Sequence, residues 1–193
     1  ISMVGASFVL PFLPMLPIQI LLNNFLYDLS EIGIPYDRVD ANFYIKPPKW
    51  DINFMRNFMF IFGPLSSLFY FFFFFILLKV FAVSPSLFQT AWFIESLVTQ
   101  ILMIFIVRTR KTLSQSKPHM VLILTAILSI IIGIVFPYTT YASYFGFVPL
   151  PFSLLGILAL IAILYVLMTE ITKRAFYAST TVKVMLCKGF YSD

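Results

Sequence analysis

Apolar residues fall into five blocks, at residues 9–31, 58–83, 89–107, 119–137 and 151–168. Each is long enough to cross about 30 Å of hydrocarbon, which takes ~17–25 helical residues. The pattern predicts an all-α integral membrane protein, a bundle of five transmembrane helices. The first block opens on Pro11, Pro14 and Pro17. Proline lacks the backbone donor and clashes with the preceding turn, so this start is irregular or unwound. Two readings are open: a kinked turn near the interface, or a broken helix beside an ion site. The second block carries Gly63-Pro64, then Ser66-Ser67, then a run of aromatics over residues 69–75. The two serines read as small residues for close helix packing. The aromatic run reads as lipid-facing bulk.

The connections differ sharply in charge. Those after the first, third and fifth blocks hold Arg38, Lys46, Lys49 and Arg56; Arg108, Arg110, Lys111 and Lys117; and Lys173, Arg174, Lys183 and Lys188. The connections at 84–88 and 138–150 hold none. The thirteenth basic residue, Lys79, sits near a block end, from which a lysine can snorkel to the interface. By the positive-inside rule the basic side is cytoplasmic, with the first residues outside and the C-terminus inside. The one long hydrophilic connection, residues 33–57, is rich in proline, with Pro35, Pro47 and Pro48. Residues 178–193 form a basic cytoplasmic tail with no assignment.

Composition agrees. The 193 residues are 61% hydrophobic and 11% charged, with a mean hydropathy of +0.97. A soluble domain has about 45–50% apolar and 25% charged residues. The net charge of +5 belongs to the topology signals and gives no case for a nucleic-acid partner; the expected surroundings are a lipid bilayer. A single cysteine, Cys187, excludes an internal disulfide and is too isolated for a metal site. A start at Ile1, directly into apolar sequence, reads as a fragment or the back end of something longer. No Gly-rich phosphate loop, no Ser/His/Asp set and no zinc-spaced His/Cys cluster occurs.

Candidate chemistry therefore rests on polar residues inside the blocks. Asn23, Asn24 and Asp28 interrupt the first. A charge near the bilayer centre costs roughly 2.5–3.5 kcal/mol on insertion scales, so such an acid faces protein or a wet cavity. Asn24 and Asp28 are i, i+4 and present a neutral oxygen and a carboxylate on one helical face. Solvation of Asp28 at the interface is the competing reading. Glu95, in the third block, lies beside Ser96, Thr99 and Gln100 in a polar stripe. Two helices, each with a carboxylate amid amide and hydroxyl oxygens, suit a hard divalent cation. His119 stands apart from other ligand types, and Glu170 reads as the end of the last helix.

The segments LPFLPMLPIQILLNNFLYDLSEIGIPYDRVD, KPPKWD, FMFIFGPLSSLF, FQTAWFIESLVTQ and VRTRK occur in that order. Together they resemble the C-terminal membrane region of bacterial magnesium-transporting P-type ATPases, over residues 1–177. The resemblance implies the last five of ten membrane helices, in the bacterial inner membrane. It implies that Asn24 and Asp28 face the transport site and that Glu95 matches a further membrane carboxylate. Mg2+ would be the transported ion, imported through an aspartyl-phosphate formed from ATP. Tyr70 departs from the family pattern, where Asp is usual, as does Phe105, where His is common. The 193 residues contain no Asp-Lys-Thr-Gly motif. ATP would thus act only through domains absent from this chain, and the chief partner would be the N-terminal and catalytic portions of the pump. A non-catalytic membrane scaffold or relic derived from such a pump is the alternative. A small proton-coupled secondary transporter fits less well, because no internal repeat is evident.

Overall fold

A computed structural model of the chain describes residues 6–8, 10–37, 52–81, 83–109 and 118–189, with the helical backbone alone beyond 177. Arg38, Lys46, Lys49, Arg110, Lys111 and Lys117, on which part of the charge pattern rests, lie outside the described residues. Regular structure among the described residues is entirely helical. Helix α1 is Pro17–Glu31, α2 is Ile52–Phe75 with a π-helical extension Ile76–Val80, and α3 is Pro85–Val107. Helix α4 is Met120–Val135 and α5 is Phe152–Gly189, with short 3-10 turns after α1 and between α4 and α5.

Among the described residues, four of the five expected spans are helical segments long and apolar enough to cross a bilayer: Met55–Lys79, Pro85–Val107, Met120–Tyr138 and Phe152–Tyr177. The first block is the exception. Its helix has 15 residues, about 22 Å at 1.5 Å per residue, short of the ~30 Å core. The prolines are the physical reason. Residues 6–8 make a helical turn closed by a 2.8 Å bond from the Leu10 amide to the Ala6 carbonyl. The chain then bends through Pro11 and Pro14 and restarts at Pro17, with Leu16 extended at ψ 148°. Proline at the first helical position costs nothing, since that amide has no intrahelical partner.

Helices α2 and α3 begin earlier than their hydrophobic blocks and α5 ends later, whereas α4 lies within its block. Helix α2 starts within the polar connection and tolerates Pro64. Around that break Ser66 donates to the Phe62 carbonyl at 2.9 Å and Ser67 to the Gly63 carbonyl at 3.0 Å. Helix α5 runs through Glu170, so that residue does not end it. The aromatic run is not uniformly lipid-facing either. Phe71, Phe72 and Phe75 are exposed, whereas Phe73 and Phe74 are buried, Phe74 against Phe88 and Trp92.

The centre of the bundle is α3, in which residues 88–97 are all buried. Helices α1, α4 and α5 pack against it, and α2 reaches it through Tyr70 and Phe74. Helix α1 also lies along α4, where small residues let the backbones approach. A methyl group on Gly33 would fall 2.4 Å from Cα of Leu122, and one on Gly133 would fall 2.3 Å from a Leu97 methyl. The first obstacle is backbone and cannot move aside.

Hydrogen bonds sort the chain ends into two sides. On one, Gln89 donates to the Leu13 carbonyl at 2.7 Å, Gln19 to the Phe145 carbonyl at 3.0 Å, and the Val148 amide to Thr90 at 3.1 Å. On the other, Asp37 pairs with Arg108 and accepts the His119 amide at 2.8 Å. The starts of α1 and α3 thus share one side, and the end of α1, the end of α3 and the start of α4 share the opposite one. That is the alternation the charge pattern implied. Gly33→Ala is expected to destabilise the folded protein by about 1–3 kcal/mol through overpacking. Gly63→Ala, where nothing lies within 4 Å, stays within about 0.5 kcal/mol of the parent. Thermal melts in detergent compare the two.

Candidate functional site

Helix α1 has two unlike faces. Gln19, Asn23, Leu26 and Ser30 are buried, at the i, i+4, i+7, i+11 spacing of a single stripe. Asn24 and Asp28 are exposed, in the company of Leu21, Phe25 and Ile32. The pair does share a face, but that face is turned out of the bundle. Glu95 is the opposite case. It is 2% exposed, at the middle of α3. Among the described residues no three His, Cys, Asp or Glu side chains gather at metal-binding distance. Asn24 and Asp28 belong to an outward surface and Glu95 to the interior.

The interior polar group is built around α3. Asn23 donates from Nδ2 to the Ser96 hydroxyl at 3.0 Å, and Ser96 in turn donates to the Phe93 carbonyl at 3.1 Å. One turn on, Thr99 lies 2.8 Å from the Glu95 carbonyl and 2.7 Å from the Tyr70 hydroxyl. Helices α1 and α2 are therefore each tied to α3 by one side-chain hydrogen bond at neighbouring positions of its polar stripe. Within this group Oδ1 of Asn23 and Oε1 of Glu95 are buried acceptors with no hydrogen-bond partner among the described residues.

Two members of this group carry no structural role in the sequence analysis. Asn23 was noted as polar but carried no role, although Gln19, Asn23 and Ser30 already form an inward stripe. Tyr70 stands out in the sequence only as a departure from the family pattern, although its hydroxyl is the only polar group in the run at 69–75. A second polar cluster lies at the side where α1 and α3 end. Lys173 is 3% exposed and donates to the Ile106 carbonyl at 2.7 Å. Glu170 lies 3.8 Å from Lys173 and 3.5 Å from Arg174. His119 caps α4, its Nδ1 accepting the Val121 amide at 3.3 Å.

Residues 12–175 match the family described as cation transporting ATPase, C-terminus. The chain belongs to that family. Its similarity to this C-terminal ATPase region is also specific at the level of whole proteins. It is 38% identical over 181 residues to "Magnesium-transporting ATPase, P-type 1" of Salmonella typhimurium strain LT2, covering 91% of this chain and 20% of that protein. It is 38% identical over 182 residues to the protein of the same name from Escherichia coli K12, covering 92% of this chain and again 20% of the relative. The chain thus spans about one-fifth of the length of the curated relatives it matches. It is homologous to the membrane region of magnesium-transporting P-type pumps, and its apolar helices make it a multi-pass membrane segment.

In this cation-ATPase C-terminal region the Tyr70–Thr99 bond is the side-chain hydrogen bond that, among the described residues, links α2 to α3. Tyr70→Phe is expected to destabilise the folded state by about 0.6–1.7 kcal/mol, the range for hydrogen bonds between membrane helices. Thr99→Val combined with it adds less than the sum of the single changes. Unfolding titrations in mixed micelles measure the coupling.

Proposed function

We propose that this chain is the transport-domain segment of a P-type ATPase that imports Mg2+, and that the Asn24–Asp28 face of α1 supplies part of the cation site. One observation carries the reading: a carboxylate and an amide stand together on an exposed, otherwise apolar helix face. Leu21 is 70% exposed and Phe25 63%, so the face has the polarity of a membrane interior except at Asn24 and Asp28. Facing lipid there would cost Asp28 roughly 2.5–3.5 kcal/mol. Cover from further transport-domain helices, outside this chain, removes that cost and adds ligands. Asn24 then offers a carbonyl oxygen and Asp28 the main charge. Glu95, behind α1 on α3, is a second carboxylate for a cation or a proton. Mg2+ gives up its hydration reluctantly, so a site this sparse in charge holds the ion with several waters retained.

The same reading treats residues 9–31 as one broken membrane crossing, the first in chain order, which brings the number of crossings to five. The proline-interrupted stretch frees backbone carbonyls, which in transporters lie beside the ion. One of them, on Leu13, is held by Gln89. The side bearing Asp37, Arg108 and Lys173 is cytoplasmic in a bacterial inner membrane, by the positive-inside rule. ATP hydrolysis belongs to pump domains outside this sequence, which are the chief partner of this segment.

The test is Asp28→Asn in a complete pump carrying this segment. The expected result is at least about a tenfold loss of apparent Mg2+ affinity, equivalent to ~1.4 kcal/mol, and failure of magnesium-limited growth. Transport and growth equal to the parent would remove Asp28 from the site and the proposal with it.

A further inference from the structure

We infer that Asn23 is a positioning residue, whose bond to Ser96 sets the rotation of α1 and so aims Asn24 and Asp28 out of the bundle. The inference rests on the reading of those two residues as cation ligands. Successive residues of an α-helix point about 100° apart. With Asn23 directed at α3, Asn24 is necessarily turned away from it.

Apolar packing alone does not define that rotation. Inside a membrane, lipid tails are as apolar as leucine, so burying one apolar face rather than another gains little. Helix α1 offers apolar residues on both sides: Leu26 is 1% exposed, while Leu21 and Phe25 face outward. Polar ties must decide, and among the described residues there are three along the helix. At its start Gln19 bonds the Phe145 carbonyl in the loop between α4 and α5. Near its end the Thr125 hydroxyl donates to the Ser30 carbonyl at 3.0 Å, a backbone group that lies nearly along the helix axis and constrains rotation weakly. Among the described residues only Asn23, between them, joins a side chain of α1 to a side chain of another helix, in a bond that is fully buried.

The direction of the bond is also fixed. Ser96 spends its proton on the Phe93 carbonyl, so it can only accept from Asn23. That leaves Oδ1 of Asn23 buried without a partner among the described residues. A half-satisfied amide is a poor stabiliser in an apolar interior, since an unpaired buried polar group carries a desolvation penalty. Leucine has nearly the same size and no such penalty. Buried asparagines that lower stability while fixing register are known from coiled coils. Asn23 fits the same description, with rotation in place of register.

Stability and affinity should therefore part company in Asn23→Leu. In a complete pump, the Mg2+ concentration for half-maximal transport is expected to rise about 3- to 15-fold, matching one lost interhelical bond. The thermal midpoint stays equal or rises. Ser96→Ala shifts affinity in the same direction, and the exchanged pair Asn23→Ser with Ser96→Asn brings it back toward the parent. Helix rotation is read separately, by thiol labelling of Asn24→Cys and of Leu26→Cys in a background lacking Cys187 and all other cysteines. The parent labels at 24 over 26, and Asn23→Leu lowers that ratio. An unchanged ratio, or a melt that falls together with the maximal rate, would overturn the inference. If Asp28→Asn leaves transport intact while the labelling ratio still moves, the cation-site reading fails and the rotational role of Asn23 stands.

Discussion

Nothing in a bilayer interior replaces a missing backbone hydrogen bond, and three prolines within seven residues take away three donors. The half of the molecule around α1 is arranged in answer to that. The helix is short because it cannot begin before Pro17. The stretch ahead of it must be sheltered by protein, which explains why Pro14 and Met15 are buried and why Gln89, at the start of the most buried helix, reaches back to Leu13. A short helix with apolar residues on both sides is weakly oriented by its surroundings, so specific polar contacts have to hold it. Those contacts are Gln19, Asn23 and the Ser30 carbonyl.

The remaining half obeys simpler rules. Helices α2, α3, α4 and α5 are long enough to span. The packing of α3 among the others is dense because it carries Thr90, Ser96 and Thr99 as small polar links and Phe88, Trp92 and Phe93 as bulk. Close approach at Gly33 brings the end of α1 against α4, and close approach at Gly133 brings α4 against Leu97 of α3. Dispersion and a few interhelical bonds are the forces available, and both need backbones brought near each other.

Much of this was readable in the residues. Length and apolarity located the four spanning helices to within a few residues at most ends, and the placement of Arg108, Lys173 and their neighbours anticipated which helix ends meet. The prolines at 11, 14 and 17 announced an irregular start. Their full effect on length was less visible, because hydropathy counts a proline-broken stretch and a helix alike. Depth and polarity picked out Asn24, Asp28 and Glu95, yet sequence spacing says nothing about which way a helix face turns relative to its neighbours. Here it turns Asn24 and Asp28 outward and Asn23 inward, a 100° distinction between adjacent residues. Tyr70 illustrates the same limit: a hydroxyl among phenylalanines becomes meaningful only when Thr99 is seen across from it. The charge of Glu170 resembles a helix terminus in the sequence, whereas α5 simply continues out of the apolar region.

The two ends of α1 are not held equally. Below Glu31, Gly33 sits against the Leu122 backbone and Asp37 joins Arg108 to the His119 amide, so the end is anchored by a charged pair and by contact with main chain. Above Pro17, single neutral bonds hold a loop segment. Mechanically, α1 resembles a beam clamped at its base with a compliant tip. A push applied along it would meet a stiff foundation shared with α3 and α4, and would show itself as sway at the proline end. For a segment whose polar pair lies between those two supports, small displacements become changes of tilt, with the base as pivot.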